Sequence, residues 1–195
     1  MSALTNRLYQ LANLVPVGSS VLDVGCSDGR LLAHLRDDRR VDGRGIEIDP
    51  ERVALAVARG LSVVQGDAEH DLAAFPGNSV DYAILSETLQ AMARPALVLA
   101  ELVRIGRRAI VAFPNFGHWR VRSRLLVTGR MPVTRRLPQS WFDTPNIHLC
   151  TVLDFLALAE EMGLTIEQQH FLCNRRRVRA WPNLRADHAL FVLRK

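Results

Sequence analysis

Apolar and polar positions follow two alternating rhythms along the chain. Short apolar runs predict strands at 20–25 (SVLDVG), 45–48 (GIEI), 61–65 (LSVVQ), 80–85 (VDYAIL) and 107–113 (RRAIVAF). Between them apolar residues recur at helical spacing: Leu31, Leu32 and Leu35 after Asp28, then Val53, Ala56 and Val57 after Pro50, then Leu97, Ala100 and Leu102 to Val103 after Pro95. Pro50 and Pro95 fall near first helical positions, where a missing N–H costs nothing. Strand and helix in alternation predict an α/β fold, a parallel sheet flanked by helices. Farther on, Val152, Phe155, Leu156 and Ala159 predict a helix ending at Gly163, followed by LTIEQQHFLC and HALFVLRK as an antiparallel hairpin at the sheet edge. Residues 114–150 hold Pro114, Pro132, Pro138 and Pro145 with little periodicity, so they are expected to be an irregular insertion in a single domain spanning 1–195.

Composition adds mainly exclusions. At 48% hydrophobic and 23% charged residues the chain has enough apolar matter for a sizeable core and lacks the signature of disorder. No apolar run approaches the roughly 18 residues that span a bilayer, and the first residues lack a signal-peptide stretch, so a cytoplasmic protein without a membrane partner is expected. Cys26, Cys150 and Cys173 are odd in number and widely spaced, and the six histidines share no ligand spacing. Neither a disulfide framework nor a metal site is predicted. Residues 1–100 carry 9 basic against 13 acidic side chains and residues 101–195 carry 16 against 7, with arginine clusters at Arg120, Arg122 and Arg124 and at Arg175, Arg176, Arg177 and Arg179. No nucleic-acid-binding signature accompanies those clusters, and arginine accounts for all but one basic residue in the chain, so no nucleic acid partner is expected.

The candidate chemistry begins at VLDVGCSDGRLL, Val21 to Leu32, a strand running through a glycine-bearing turn into a helix. Gly25 and Gly29 allow a sharp turn and close approach to a ligand, and the exposed N–H groups of the helix start favour a carboxylate or phosphate. A dinucleotide fingerprint starting at Gly25 would need glycines where Ser27 and Arg30 stand. The Asp23-x-Gly25-x-x-x-Gly29 spacing instead is similar to the first motif of class I methyltransferases. Glu47, ending the second strand, suits the two hydroxyls of a ribose, with Asp49 a poorer alternative. Asp67 after the third strand suits an adenine amine, Ile48 and Ala68 suit its ring faces, and Leu85 ends the fourth strand beside them.

Longer stretches carry a closer resemblance. VLDVGCSDGRLL, GIEIDP from Gly45, QGDAEHDL from Gln65, LSETLQAMARP from Leu85, AFPNFGHWRVR from Ala112 and WFDTPNIHLCTVLDF from Trp141 resemble the MetW family of methionine biosynthesis proteins over nearly the whole chain. The resemblance implies a class I methyltransferase fold, a Rossmann-like three-layer sandwich with S-adenosylmethionine or S-adenosylhomocysteine as cofactor. The implied cofactor residues are Asp23, Gly25, Ser27, Gly29, Glu47, Ile48, Asp67, Ala68 and Leu85. It further implies a role beside homoserine O-acyltransferase as accessory or regulatory partner, with a free-standing small-molecule methyltransferase as the alternative. This chain has Ser27 where the family loop usually has a third glycine.

Methyl transfer from a sulfonium is an in-line displacement that needs a base only when the acceptor must lose a proton. The amino-methylating N/D-P-P-Y/F turn is absent, with SETLQ in its place, Ser86 to Gln90. His118, His148 and Asp143 are the candidates for acid-base work in an acceptor pocket. Trp119, Trp141, Phe116 and Phe142 in the same insertion are equally suited to anchoring a partner. No G-x-S-x-G elbow is present, so acyl transfer would belong to the partner.

Overall fold

The computed structural model describes residues 5–133, 140–141, 143–144, 147–174 and 176–195. Its elements run α1 (Asn6–Ala12), β1 (Ser20–Val24), α2 (Arg30–Arg39), β2 (Asp42–Glu47), α3 (Pro50–Ala58), β3 (Ser62–Gln65), α4 (Ala68–Asp71), β4 (Val80–Ser86), α5 (Pro95–Ile105), β5 (Gly106–Pro114), α6 (Trp119–Thr128), α7 (Val152–Glu161), β6 (Thr165–Cys173), β7 (Arg176–Arg177), α8 (Pro182–Arg185) and β8 (His188–Arg194). One sheet holds all strands in the order β3-β2-β1-β4-β5-β8-β6-β7. The first five are parallel, whereas β8 runs antiparallel to both β5 and β6. The carboxyl ends of β1 to β5 therefore share one edge of the sheet.

Alternation along the central strands sorts the core into two layers. Ala83 and Leu85 of β4 with Ala189, Phe191 and Leu193 of β8 pack under α5 and α7. Tyr82 and Ile84 with Leu190 and Val192 pack on the other face, under α1 and α2. A period of two on a strand with both faces covered gives the near-continuous apolar runs seen in the sequence. The Phe113, Phe155 and Phe191 rings, 4.6 to 5.9 Å apart, pin α7 to β5 and β8.

The five predicted strands and the helices after Asp28, Pro50, Pro95 and Thr151 are present, and the C-terminal strands pair as an antiparallel hairpin. Three details differ. In α5 the buried face is Val98, Leu99, Leu102, Val103 and Ile105, while Leu97 and Ala100 point outward. The last strand is not the edge, because β8 inserts between β5 and β6. The region 114–150 is not wholly irregular: α6 occupies ten of its residues, capped by the His118 side chain at one end and left-handed Gly129 at the other. None of the α6 residues is buried, so the apolar stripe by which helices are read from sequence is missing there.

Candidate functional site

At the end of β1 the backbone turns through left-handed Gly25, Ser27 and Gly29, with φ of 70°, 53° and 74°. Gly25 donates its N–H to the Ile46 carbonyl (2.8 Å), and a Cβ there would stand 2.7 Å from Thr88 Oγ1. The loop thus meets the end of β4 with no room for a side chain. Sheet order reverses direction between β1 and β4, which is where open α/β sheets form their ligand crevice. Gly29 supplies no side-chain cap to α2, leaving the first N–H groups of that helix open to an anion.

Two buried carboxylates lie under the loop. Glu47 Oε2 accepts the Ser27 N–H (2.7 Å), and Oε1 accepts the N–H groups of Ile48 (3.0 Å) and Asp49 (3.1 Å). Asp23 is almost fully buried in β1; burial first, then the negative charge of Glu47, push its carboxyl up to about 8. Nearby Asp28 is held below the usual carboxylate range: burial acts upward, but hydrogen bonds from Arg30 and Arg59 outweigh it. Burial also raises the Cys26 thiol, and raises Cys150 to about 12, so both remain protonated and inert.

The other predicted nucleoside residues gather along the same edge. Gly66 N–H bonds the Glu47 carbonyl (3.0 Å), bringing the ends of β2 and β3 together. Asp67 caps α4 by accepting the Glu69 N–H (2.9 Å), and its second oxygen meets His70 Nδ1 (3.0 Å). These bonds hold Asp67 ionised below its ordinary range. Ile48 is 63% exposed and Ala68 half-buried, so both have surface for a ring. Leu85 departs from the expectation: its side chain is fully buried in the core and has no surface to offer a ligand.

The three acid-base candidates are not brought together. His118 is buried and acts as the N-cap of α6, its Nδ1 accepting the Arg120 N–H (3.2 Å) while Nε2 faces Cys173 Sγ (4.0 Å). Burial lowers its basicity, so this ring works as a neutral helix cap. Asp143 and His148 are exposed, although the backbone N–H groups of Ile147 and His148 anchor that strap to the Gln90 carbonyl (2.8 and 3.0 Å). What sequence reasoning missed stands at the end of β4. Left-handed Glu87 accepts from Arg7 Nη1 (2.9 Å) and is hydrogen-bonded to Nε2 of His188, which is 1% exposed. Burial raises the Glu87 carboxyl, but His188 and Arg7 outweigh it and hold it low. Glu87 and His188 are 101 residues apart, so no spacing signal exists for them. Farther along the same segment, the buried Gln90 side-chain amide has no hydrogen-bond partner among the described residues.

A glycine turn over helix N–H groups, buried acids below it and an exposed apolar shelf beside Asp67 together suit a nucleoside with an amino-acid tail. Comparison with known proteins agrees with that architecture. The family model described as methionine biosynthesis protein MetW matches residues 6–193. The chain belongs to the MetW family. A bifunctional methionine biosynthesis protein MetXA/MetW of Rhodopirellula baltica is 34% identical over 198 aligned residues, which take in 95% of this chain and 32% of that protein. The chain therefore spans about a third of the length of this curated relative. Among solved structures, an S-adenosylmethionine-dependent methyltransferase from Mesorhizobium loti superposes with TM-score 0.72 at 16% identity, covering 98% of each chain. A SAM-dependent methyltransferase from Archaeoglobus fulgidus does so at 0.72 and 14% identity, over 97% of this chain and 91% of its own. At such identities the likeness shows the shared fold, a methyltransferase-like Rossmann sandwich.

The family loop's usual third glycine now has a physical reason, since position 27 is left-handed. Holding a non-glycine residue there costs about 1 to 2 kcal/mol of strain, which glycine removes at the cost of about 0.5 to 1 kcal/mol of unfolded-state entropy. Ser27→Gly is expected to leave stability nearly unchanged in a urea titration, whereas β-branched Ser27→Val loses about 1 to 3 kcal/mol. Equal tolerance of both changes would contradict the left-handed assignment.

Proposed function

We propose that this protein binds S-adenosylmethionine or S-adenosylhomocysteine along the carboxyl ends of β1 to β3 and acts as the regulatory partner of a homoserine O-acyltransferase in methionine biosynthesis. The observation that carries the partner role is the Rhodopirellula relative, whose name joins MetXA to MetW in one polypeptide about three times longer than the matched region. The chain's own residues fit the ligand. A carboxylate offers about four acceptor sites, and Glu47 has three engaged by backbone N–H groups, so ribose hydroxyls take the remaining site and compete at Oε1. Asp67 keeps acceptor capacity for an adenine amine, with Ile48 and Ala68 against the ring. In this reading the N–H groups opening α2 receive the tail carboxylate, and the Asp23 carboxyl pairs with the tail ammonium. When bound, S-adenosylmethionine supplies a methyl group activated by a sulfonium.

The partner surface is proposed on α6 and the strap after it. Leu126 is 87% exposed, Val127 81% and Trp141 74%, large apolar side chains turned to solvent on α6 and in the segment after it. Phe116, expected in this surface, is buried, and Phe142 lies outside the described residues. A ligand that alters partner affinity through a coupling of about 1 to 3 kcal/mol would itself be bound correspondingly more or less tightly with the partner present. A free-standing methyltransferase is the second reading, supported by the fold shared with solved SAM-dependent methyltransferases.

One experiment separates them. Homoserine O-acyltransferase is assayed alone, with wild type, and with Leu126→Asp plus Trp141→Ala, at low and high S-adenosylmethionine, while S-adenosylhomocysteine is followed in a metabolite extract. The expected result is co-purification and an acyltransferase activity that responds to wild type but not to the double variant. Sustained S-adenosylhomocysteine formation with an indifferent acyltransferase would transfer the case to the methyltransferase.

A further inference from the structure

Several arginines on this molecule are matched with carboxylates: Arg7 with Glu87, Arg30 and Arg59 with Asp28, Arg104 with Glu101, Arg108 and Arg194 with Glu167. Four are not. Arg176, Arg177, Arg179 and Arg185 line one cavity of about 680 Å³ with Trp119, Cys173, Asn174 and Val178, and no acidic side chain among the described residues belongs to its wall. None of the four makes a side-chain hydrogen bond or ion pair among the described residues. Asp187 accepts the Asn174 N–H (3.2 Å) nearby but does not line the space. The fold brings these residues together. The turn at left-handed Asn174 reverses β6 into β7 and pairs Leu172 with Arg177 and Cys173 with Arg176 at the carboxyl end of the sheet. Arg185 arrives from the last turn of α8, and Trp119 from the first turn of α6.

Four like charges around one concavity repel each other and are tolerated because each guanidinium stays partly in water. Their mutual repulsion is relieved by a ligand of opposite charge. Guanidinium forks match the oxygens of phosphate in pairs, which makes arginine the residue suited to such ligands. The volume falls within the range of small-molecule sites, about 300 to 1,000 Å³, and the half-exposed Trp119 indole supplies an apolar wall. We infer that this cavity is an anion site for a phosphorylated small molecule of nucleotide size bearing at least two phosphate charges. It is separate from the glycine loop, lying beyond β5 on the β8 to β7 side of the sheet.

Inorganic pyrophosphate, ADP and inorganic phosphate are titrated by calorimetry at constant, near-physiological ionic strength against wild type, Arg176→Ala plus Arg185→Ala, and Arg44→Ala plus Arg52→Ala. The last pair removes the same charge from the opposite side of the sheet. The expected result is saturable pyrophosphate and ADP binding, weaker phosphate binding, a loss of about tenfold or more in the cavity variant and about twofold or less in the control. Arginine does not titrate near neutrality, so the loss persists from pH 6 to 9. Glu47→Ala should bind pyrophosphate as wild type does, which keeps this site's failure distinct from that of the nucleoside site. Absence of saturable binding at millimolar pyrophosphate and ADP, or equal loss in both pairs, overturns the assignment. So does preference for an acidic peptide or single-stranded oligonucleotide with no competition by pyrophosphate.

Discussion

Replacing Glu47 by Ala is expected to weaken S-adenosylmethionine binding by roughly ten- to a hundredfold, the equivalent of about 1.5 to 3 kcal/mol for hydrogen bonds to a charged group. The same change releases the N–H groups of Ser27, Ile48 and Asp49, which the carboxylate gathers around the loop. A buried donor left without an acceptor costs about 1 to 3 kcal/mol. Asp23 holds its proton near neutral pH, so little charge repulsion is relieved in return, and a net loss of about 2 kcal/mol in unfolding free energy is expected. Calorimetry reads the first effect and urea denaturation the second. A variant that keeps both ligand affinity and stability would show that Glu47 neither holds the loop nor meets the ribose.

Asp23 is expected to make the protein lose stability as pH rises from about 4 to about 8. Its folded-state carboxyl is raised to about 8 against an ordinary 3.8, so within that window the native state holds a proton that the unfolded chain has released. Fewer protons in the unfolded state means unfolding becomes easier with rising pH, at up to about 1.4 kcal/mol per pH unit. For a domain of this size each kcal/mol corresponds to about 2 to 4 °C in melting temperature. Asp23→Asn should flatten that fall and leave the variant more stable than wild type at pH 8 to 9. Glu47→Ala should move the fall to lower pH without abolishing it, because burial, the larger cause, remains. Parallel melting profiles for wild type and Asp23→Asn across this range would refute the buried, protonated carboxyl. Since a cation beside Asp23 favours the charged form, S-adenosylmethionine binding at neutral pH is expected to release protons, measurable by calorimetry in buffers of different ionisation enthalpy.

Much of this protein is written locally. Strand and helix periods located β1 to β5, α2, α3, α5 and α7, because an element covered on its inner face must repeat apolar residues at two or 3.6. The turn from Gly25 to Gly29 and the acids Glu47 and Asp67 were legible for a related reason: each sits at a strand end whose place along the sheet edge follows from strand order. Helix α6 was hidden because it buries nothing, leaving no stripe to read. Leu85 and Phe116 look like available surface in sequence, and only packing shows them enclosed. The pairing of Glu87 with His188 and Arg7, the raised carboxyl of Asp23 beside Glu47 and the four arginines around one cavity were decided by tertiary structure alone. Each depends on proximity across crossovers and on the loss of water around a group. Neither is a property of neighbouring letters in a chain; both arise when β8 slots between β5 and β6 and the strand ends are drawn to one edge.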